Sequence, residues 1–185
     1  MPRVSQEHLD ARRRQILDGA QRCFARHGYT GATVARLEQE IGLSRGAIFN
    51  YFPSKRDLFV ALAADVNRRY GELIVAGGLE PAIRAMAAED PEWLGVLLEA
   101  QAQLRHDPEL LERLEAAYEA EPHRLAEWFA ARQADGTFRD DVDSMELGRF
   151  ATIVINGLVL RIVGGDPTDV DAVVRLLDDA LAPRE

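Results

Sequence analysis

The segment TVARLEQEIGLSRGAIFNYFPSK, residues 33–55, constrains the fold more than any other part of the chain. Thr33 is an N-cap residue type. Val34, Leu37 and Ile41 recur at three- and four-residue intervals, which puts them on one stripe of a helix. Gly42 tolerates the left-handed conformation that ends helices. After Leu43, Ser44 offers a second N-cap and opens a second helix over residues 45–51. Pro53 stops that helix, because the residue before a proline is driven out of the α region. Ser54, with Asp57 three positions on, has the spacing of a capping box for the next helix. Two short helices on a glycine turn make a helix-turn-helix, whose second helix reads the DNA major groove.

Short helices with glycine turns also occur in all-α proteins that never meet nucleic acid, so the pattern needs a second observation. Charge supplies it. Residues 1–56 carry a net +5, whereas the whole chain carries −9, which leaves −14 on residues 57–185. A basic end attracts phosphate and an acidic body repels it, so the division suits a DNA-binding module on a body with another task.

The run from Ile16 through FARHGYTGATV to GLSRGAIFNYFPSKRDLF resembles the DNA-binding domain of TetR-family repressors, over roughly the first third of the chain. The resemblance implies an all-α fold. A helix-turn-helix DNA-binding domain of three helices would occupy residues 1–56, and a larger helical ligand-binding and dimerisation domain residues 57–185. It also implies a repressor that binds a palindromic operator as a homodimer and whose DNA affinity a small molecule modulates. Along ARRRQILDGAQRCFARHGYTGATVARLE and GAIFNYF the chain is similar to the actinobacterial aconitase-repressor branch. That similarity implies a citrate-like effector, with Mg²⁺ or another divalent metal as its companion and no cofactor otherwise required. Asp178 or Asp179 would be the place for such a metal.

Within the second helix of the motif, Arg45, Ala47, Asn50 and Tyr51 are the residues expected to face DNA, capped by Ser44. Gly46 allows close backbone approach. Arg45 has the fork for guanine O6 and N7, and Asn50 the amide for adenine. Thr33, Tyr51 and Lys55 resemble the family's phosphate-contacting positions, which fix register without reading sequence. Ile48 and Phe52 belong to the core, and Phe49 is divided between core and surface. Arg3, Arg12, Arg13 and Arg14 are further basic groups near the start of the chain, within reach of phosphates or a minor groove.

Other stretches describe the body. Ile16, Leu17, Ala20 and Phe24 mark an amphipathic helix that Gly28 ends. A shared core of Phe24, Val34, Leu37, Ile41, Ile48 and Phe52 is expected under the first three helices. The helix from Ser54 runs to about Ile74, with Gly77-Gly78 behind it. Further helices follow Gly78, Asp90-Pro91 and Asp107-Pro108, and Pro122 interrupts or kinks the last of these. TIVINGLVLRIV, residues 152–163, has β-branched residues around Asn-Gly and so carries a hairpin signal. A lone hairpin is marginal and no partner strand is in sight, and the TetR resemblance implies that this is the penultimate helix, in the core and at the dimer interface, so a helix apolar all round is expected there. Asp166-Pro167-Thr168 starts a last helix. The apolar segments 150–163 and 170–181 would form a four-helix dimer interface.

Polar residues inside these apolar helices are the candidates for ligand binding: Glu99, Gln103 and Arg105 after Pro91, and Asn156 and Arg161 in the hairpin-like segment. Buried polar groups need partners, either from the protein or from a ligand. Arg161 equally suits a nearby carboxylate. Arg124, Arg132 and Arg161 are each able to serve as the arginine that a citrate-like effector needs.

Catalytic signals are missing: the four histidines are scattered, and no nucleophile elbow, P-loop or metal-ligand spacing appears, so no enzyme activity is expected. Cys23 is the one cysteine and lies in an apolar pattern, which points to a buried thiol in a reducing cytoplasm. The polar start MPRVSQEHLDARRR has no apolar run behind it, and no apolar stretch is long enough for a bilayer. Two alternatives stay open: a DNA-binding dimer without an effector, and a helical small-molecule-binding protein with no DNA role.

Overall fold

The computed structural model describes residues 5–104, 107–118 and 120–184, and every regular element among them is an α-helix. The helices are α1 Gln6–Gly31, α2 Val34–Ile41, α3 Arg45–Phe49, α4 Lys55–Gly77, α5 Leu79–Ala87, α6 Pro91–Leu104, α7 Pro108–Tyr118, α8 Ala120–Ala134, α9 Ser144–Val163 and α10 Val170–Leu181. They form two units. One gathers the residues up to Asp65 with Glu92–Ala117, and the other Val66–Pro91 with those from Tyr118 onward. The division therefore falls inside α4, and α6 and α7 group with the helix-turn-helix instead of with the remaining helices.

In the first unit, Ile16, Leu17, Ala20, Cys23 and Phe24 bury one face of α1. The helix loses its geometry at Gly28, whose φ of 67° and ψ of 170° lie in a region that is nearly exclusive to glycine. Thr33 caps α2, and Gly42 ends it at φ 75°. Leu37, Ile41, Ile48 and Phe52 are buried as expected, and Val34 is half-buried. Gly19 lets α1 and α2 approach closely: a Cβ there would stand 2.9 Å from the Ile41 Cα.

The second helix of the motif is shorter than residues 45–51. Regular helix stops at Phe49, after which Tyr51 N–H donates to the Ile48 carbonyl at 3.0 Å in a tighter turn. Pro53 accounts for this, since Phe52 ahead of it cannot hold an α conformation cheaply. Ser54 caps α4: its Oγ accepts from Asp57 N–H at 3.1 Å, and its hydroxyl, not its N–H, donates to Asp57 Oδ2 at 2.7 Å. Charged side chains then tie the start of α4 to α7. Arg56 reaches Asp107 at 2.7 Å and Glu109 at 2.8 Å, and Arg113 pairs with Glu109 and Asp57. Asp107 also caps α7, its Oδ1 accepting from Leu110 N–H at 3.1 Å.

In the second unit, α8 packs on α9, and α5 on α9 and α10. The core holds Ile74, Leu79, Ile83, Phe129, Leu147, Leu158, Val174, Leu177 and Leu181. Residues 152–163 lie in α9 without a break at Asn156-Gly157, so the hairpin signal is overridden by the helical neighbours that the segment packs against. Two boundaries differ from the sequence reading. Pro122 stands inside α8, which continues past it to Ala134. Asp169 caps α10, accepting from Ala172 N–H at 3.0 Å, so the helix starts beyond Thr168.

Candidate nucleic-acid interface and effector cavity

The helix-turn-helix presents its residues in two sets. Ile48 and Phe52 turn into the core, whereas Ser44, Arg45, Gly46 and Asn50 are exposed and Ala47, Phe49 and Tyr51 are half-buried. A Cβ on Gly46 would meet nothing within 4 Å, so its surface is open. Ser44 caps α3 through Ala47 N–H at 3.4 Å, and the Arg45 guanidinium lies 5.9 Å from the Phe49 ring centre. Thr33 is exposed at the start of α2 and accepts from Arg36 N–H at 3.4 Å.

Lys55 is more enclosed than a solvent-facing phosphate contact. Its Nζ donates to the Tyr29 carbonyl at 2.9 Å and sits 4.7 Å from the Tyr29 ring centre, and burial pulls its pKa down. Of the early arginines, Arg12 donates to Gln15 at 2.9 Å and Arg13 lies over the Phe52 ring at 5.5 Å. Arg3 lies outside the described residues. Glu40 holds Arg22 and Arg26 at 3.2 and 2.9 Å, which leaves Arg14 as an exposed cation on the same helix.

The sequence reading missed Glu38. Its carboxylate crosses seven positions to accept from Arg45 N–H at 2.6 Å, a spacing that no helix periodicity signals.

The ligand candidates are not brought together. Among the described residues no polar or charged side chain is buried. Asn156 is exposed; Arg161 is exposed too, with Nε donating to Thr168 Oγ1 at 3.1 Å and Nη1 facing Asp166 at 3.7 Å. Neither is a buried polar group in need of a ligand, because α9 turns both to the surface. Glu99 lies in the first unit, on the exposed side of α6, with its Oε2 3.5 Å from where a Gly28 Cβ would stand. The side chain of Gln103 and the whole of Arg105 lie outside the described residues.

Arg132 is placed differently. With Trp128, Thr137, Phe138, Glu80 and Asp178 it lines a cavity of about 400 Å³ between the end of α4, α8 and α10. Its Nη1 pairs with Asp135 at 3.3 Å, while its Nε is enclosed and meets no acceptor among the described residues. Asp178 has its pKa raised, first by burial and then by Glu80 and Asp179. A second cavity in the same unit, of about 270 Å³, is walled by Ile74, Leu125, Phe129, Ala151 and Ile155, with Arg149 and Thr152 among its polar groups. For a resident metal the donors are too few: no cluster of three His, Cys, Asp or Glu capable of holding one exists among the described residues. Asp178 and Glu80 supply two carboxylates, and Glu80 is already paired with Arg84 at 2.8 Å.

The fold and the exposed motif define a helix-turn-helix DNA-binding regulator. The comparisons agree with that class and narrow it. Residues 16–62 match the family model for bacterial regulatory proteins of the TetR family, and residues 79–183 match that for the C-terminal part of BetI-type transcriptional repressors. The chain belongs to the TetR family. An HTH-type transcriptional repressor of Mycobacterium tuberculosis is 44% identical over 98% of both chains. The HTH-type transcriptional repressor AcnR of Corynebacterium diphtheriae is 39% identical over 98% of this chain and 97% of its own. Among solved structures, Salmonella enterica GusR shares the fold at a TM-score of 0.74 and 21% identity, covering 97% of this chain and 99% of its own. These relatives are transcription regulators, and no helix among the described residues is long and apolar enough to cross a membrane.

Proposed function

We propose that two copies of this chain, joined through α9 and α10, hold a palindromic operator with their α3 segments and repress transcription from it in the cytoplasm. The observation that carries this reading is the split of the motif: Arg45, Gly46 and Asn50 stand free while Ile48 and Phe52 anchor the helix from behind. Arg45 and Asn50 take the base edges, with Ala47 beside them, and Thr33 and Tyr51 set the register on the backbone. A stripe of apolar side chains left on α9 and α10 supports the dimer, whose two-fold axis would be mirrored in the operator. Selection of duplexes from a random pool tests the reading. It should return a palindrome, and Arg45→Ala should cost roughly 1–3 kcal/mol and relax one base position. A pool that returns no preferred site refutes it.

The effector we propose is a small polycarboxylate of the citrate type, bound in the cavity of Arg132 and Asp178. The enclosed Nε of Arg132 supports this, as a charged donor lacking a described acceptor. A divalent ion such as Mg²⁺ would enter with the ligand, whose own oxygens complete a donor set that the protein leaves short. The coupling is reciprocal: citrate must weaken operator binding by the factor by which operator weakens citrate. Titrating the protein–operator complex with citrate, with and without Mg²⁺, checks both claims, and Arg132→Ala should abolish the response. A second reading has its own support in the apolar cavity walled by Phe129, Leu125 and Ile155, which suits an apolar effector. Indifference to citrate together with release of DNA by apolar ligands would favour it. Indifference to both classes would leave a repressor without an effector.

A further inference from the structure

Three residues separate α2 from α3, and Glu38 serves both sides of that turn. Its main-chain carbonyl accepts from Gly42 N–H at 2.9 Å, which closes α2, and its Oε1 accepts from Arg45 N–H at 2.6 Å, which opens α3. The Arg45 N–H is one of the first-turn donors that a helix cannot satisfy by itself. The ordinary cap is weak here, since Ser44 Oγ stands 3.4 Å from Ala47 N, beyond the usual range. The carboxylate makes the shorter bond, and a charged acceptor strengthens it. With five residues, α3 is too short to hold its own direction by propagation, so its start depends on what grips it from outside.

Resting on the reading of α3 as the operator-reading element, we infer that Glu38 is a positioning residue for sequence recognition: by gripping the backbone of Arg45 it aims that side chain at its base while weakening attraction to every phosphate. The two effects separate. The grip acts on discrimination, because a long side chain reaches a base edge only from a fixed Cα. The negative charge acts on general affinity, because it stands in the basic face of the module and repels any duplex alike. Glu38 therefore exchanges strength of binding for selectivity.

The test uses the full-length protein, its selected palindrome and a scrambled duplex of equal length, compared by fluorescence anisotropy across a salt series. Glu38→Gln keeps an acceptor oxygen and removes the charge. It should tighten binding to both duplexes by about twofold and leave their affinity ratio unchanged. Glu38→Ala removes both. It should tighten binding to the scrambled duplex equally while lowering the ratio by roughly 2- to 30-fold, the range for loss of a helix cap. Thermal melting of each variant is measured alongside. If Glu38→Ala melts lower yet keeps the ratio, Glu38 is only structural and the proposal is overturned. If Glu38→Gln loses selectivity as fully as Glu38→Ala, the charge and not the grip matters, which also overturns it. A wild-type protein that selects no duplex would instead sink the operator reading itself.

Discussion

The dimer can be tested on the side chains that the single chain leaves exposed. Ile153 and Leu160 on α9 and Leu176 on α10 expose 69%, 63% and 69% of their surface, and Phe150 exposes 41%. Phe150, Ile153 and Leu160 recur at helical spacing along one stripe of α9, with Gly157 between them presenting no neighbour within 4 Å. Full burial of such a side chain is worth about 1.5–3 kcal/mol, so covering the exposed two-thirds of one is worth roughly 1–2 kcal/mol. An isologous interface counts each residue twice, which makes about 2–4 kcal/mol per substitution and roughly a 30- to 700-fold weaker dimer. Leu160→Ser and Leu176→Ser should show this by sedimentation equilibrium, while the melting of the dissociated chain stays within about 0.5 kcal/mol of wild type. Leu111→Ser, on α7 and 38% exposed, serves as the control and should leave the dimer intact. If Leu160→Ser and Leu176→Ser dimerise as wild type does, the α9–α10 face is not the interface and the expected operator symmetry loses its basis.

Other perturbations follow from local geometry. Gly19→Ala would ordinarily stabilise a helix by about 1 kcal/mol, but the new Cβ would meet the Ile41 backbone at 2.9 Å. Overpacking should win and leave the protein roughly 1–3 kcal/mol less stable in urea; a stabilised variant would refute the close contact of α1 and α2. Gly46→Ala meets nothing in the free protein and should melt at the wild-type temperature or above it, yet lose operator affinity, since the added methyl stands where the groove would approach. Equal affinity of the two proteins would place Gly46 away from DNA. Burial, with the Glu89 carboxylate second, pushes Tyr70 up to about 12 from 10. The native state then holds a proton that the unfolded state releases, so this contribution is complete below pH 10 and fades as pH rises to 12. Wild type should lose roughly 2–3 kcal/mol across that window, and Tyr70→Phe should lose visibly less. Parallel pH profiles would refute the assignment.

The helix-turn-helix is legible in the sequence because its signals are local. Caps at Thr33, Ser44 and Ser54, a left-handed Gly42 and the stop at Pro53 each act within four residues, and each is where the chain turns or starts a helix. What the sequence hid lies at longer range. The tie between the start of α4 and α7 runs through Arg56, Asp57, Asp107, Glu109 and Arg113, five charged residues that look like solvated surface until the fold joins them. Segment 152–163 is the helix expected against its Asn-Gly turn signal: α8 and α5 offer a helix an apolar face, and a strand would find no ladder.

The ligand candidates do not gather at one place, and their surroundings show why. A polar residue inside an apolar helix is expected to face inward, yet α9 has an open apolar side of its own, so Asn156 and Arg161 occupy surface beside Ile153 and Leu160. Arg132 was only one of three interchangeable arginines in the sequence. What singles it out is its meeting with Asp178 and Thr137, from a loop and a helix beyond it. A helix-turn-helix is written into consecutive residues because its partners are its neighbours. The cavity of Arg132 is lined from helix ends far apart in the chain, so its lining becomes visible only when the second unit is folded.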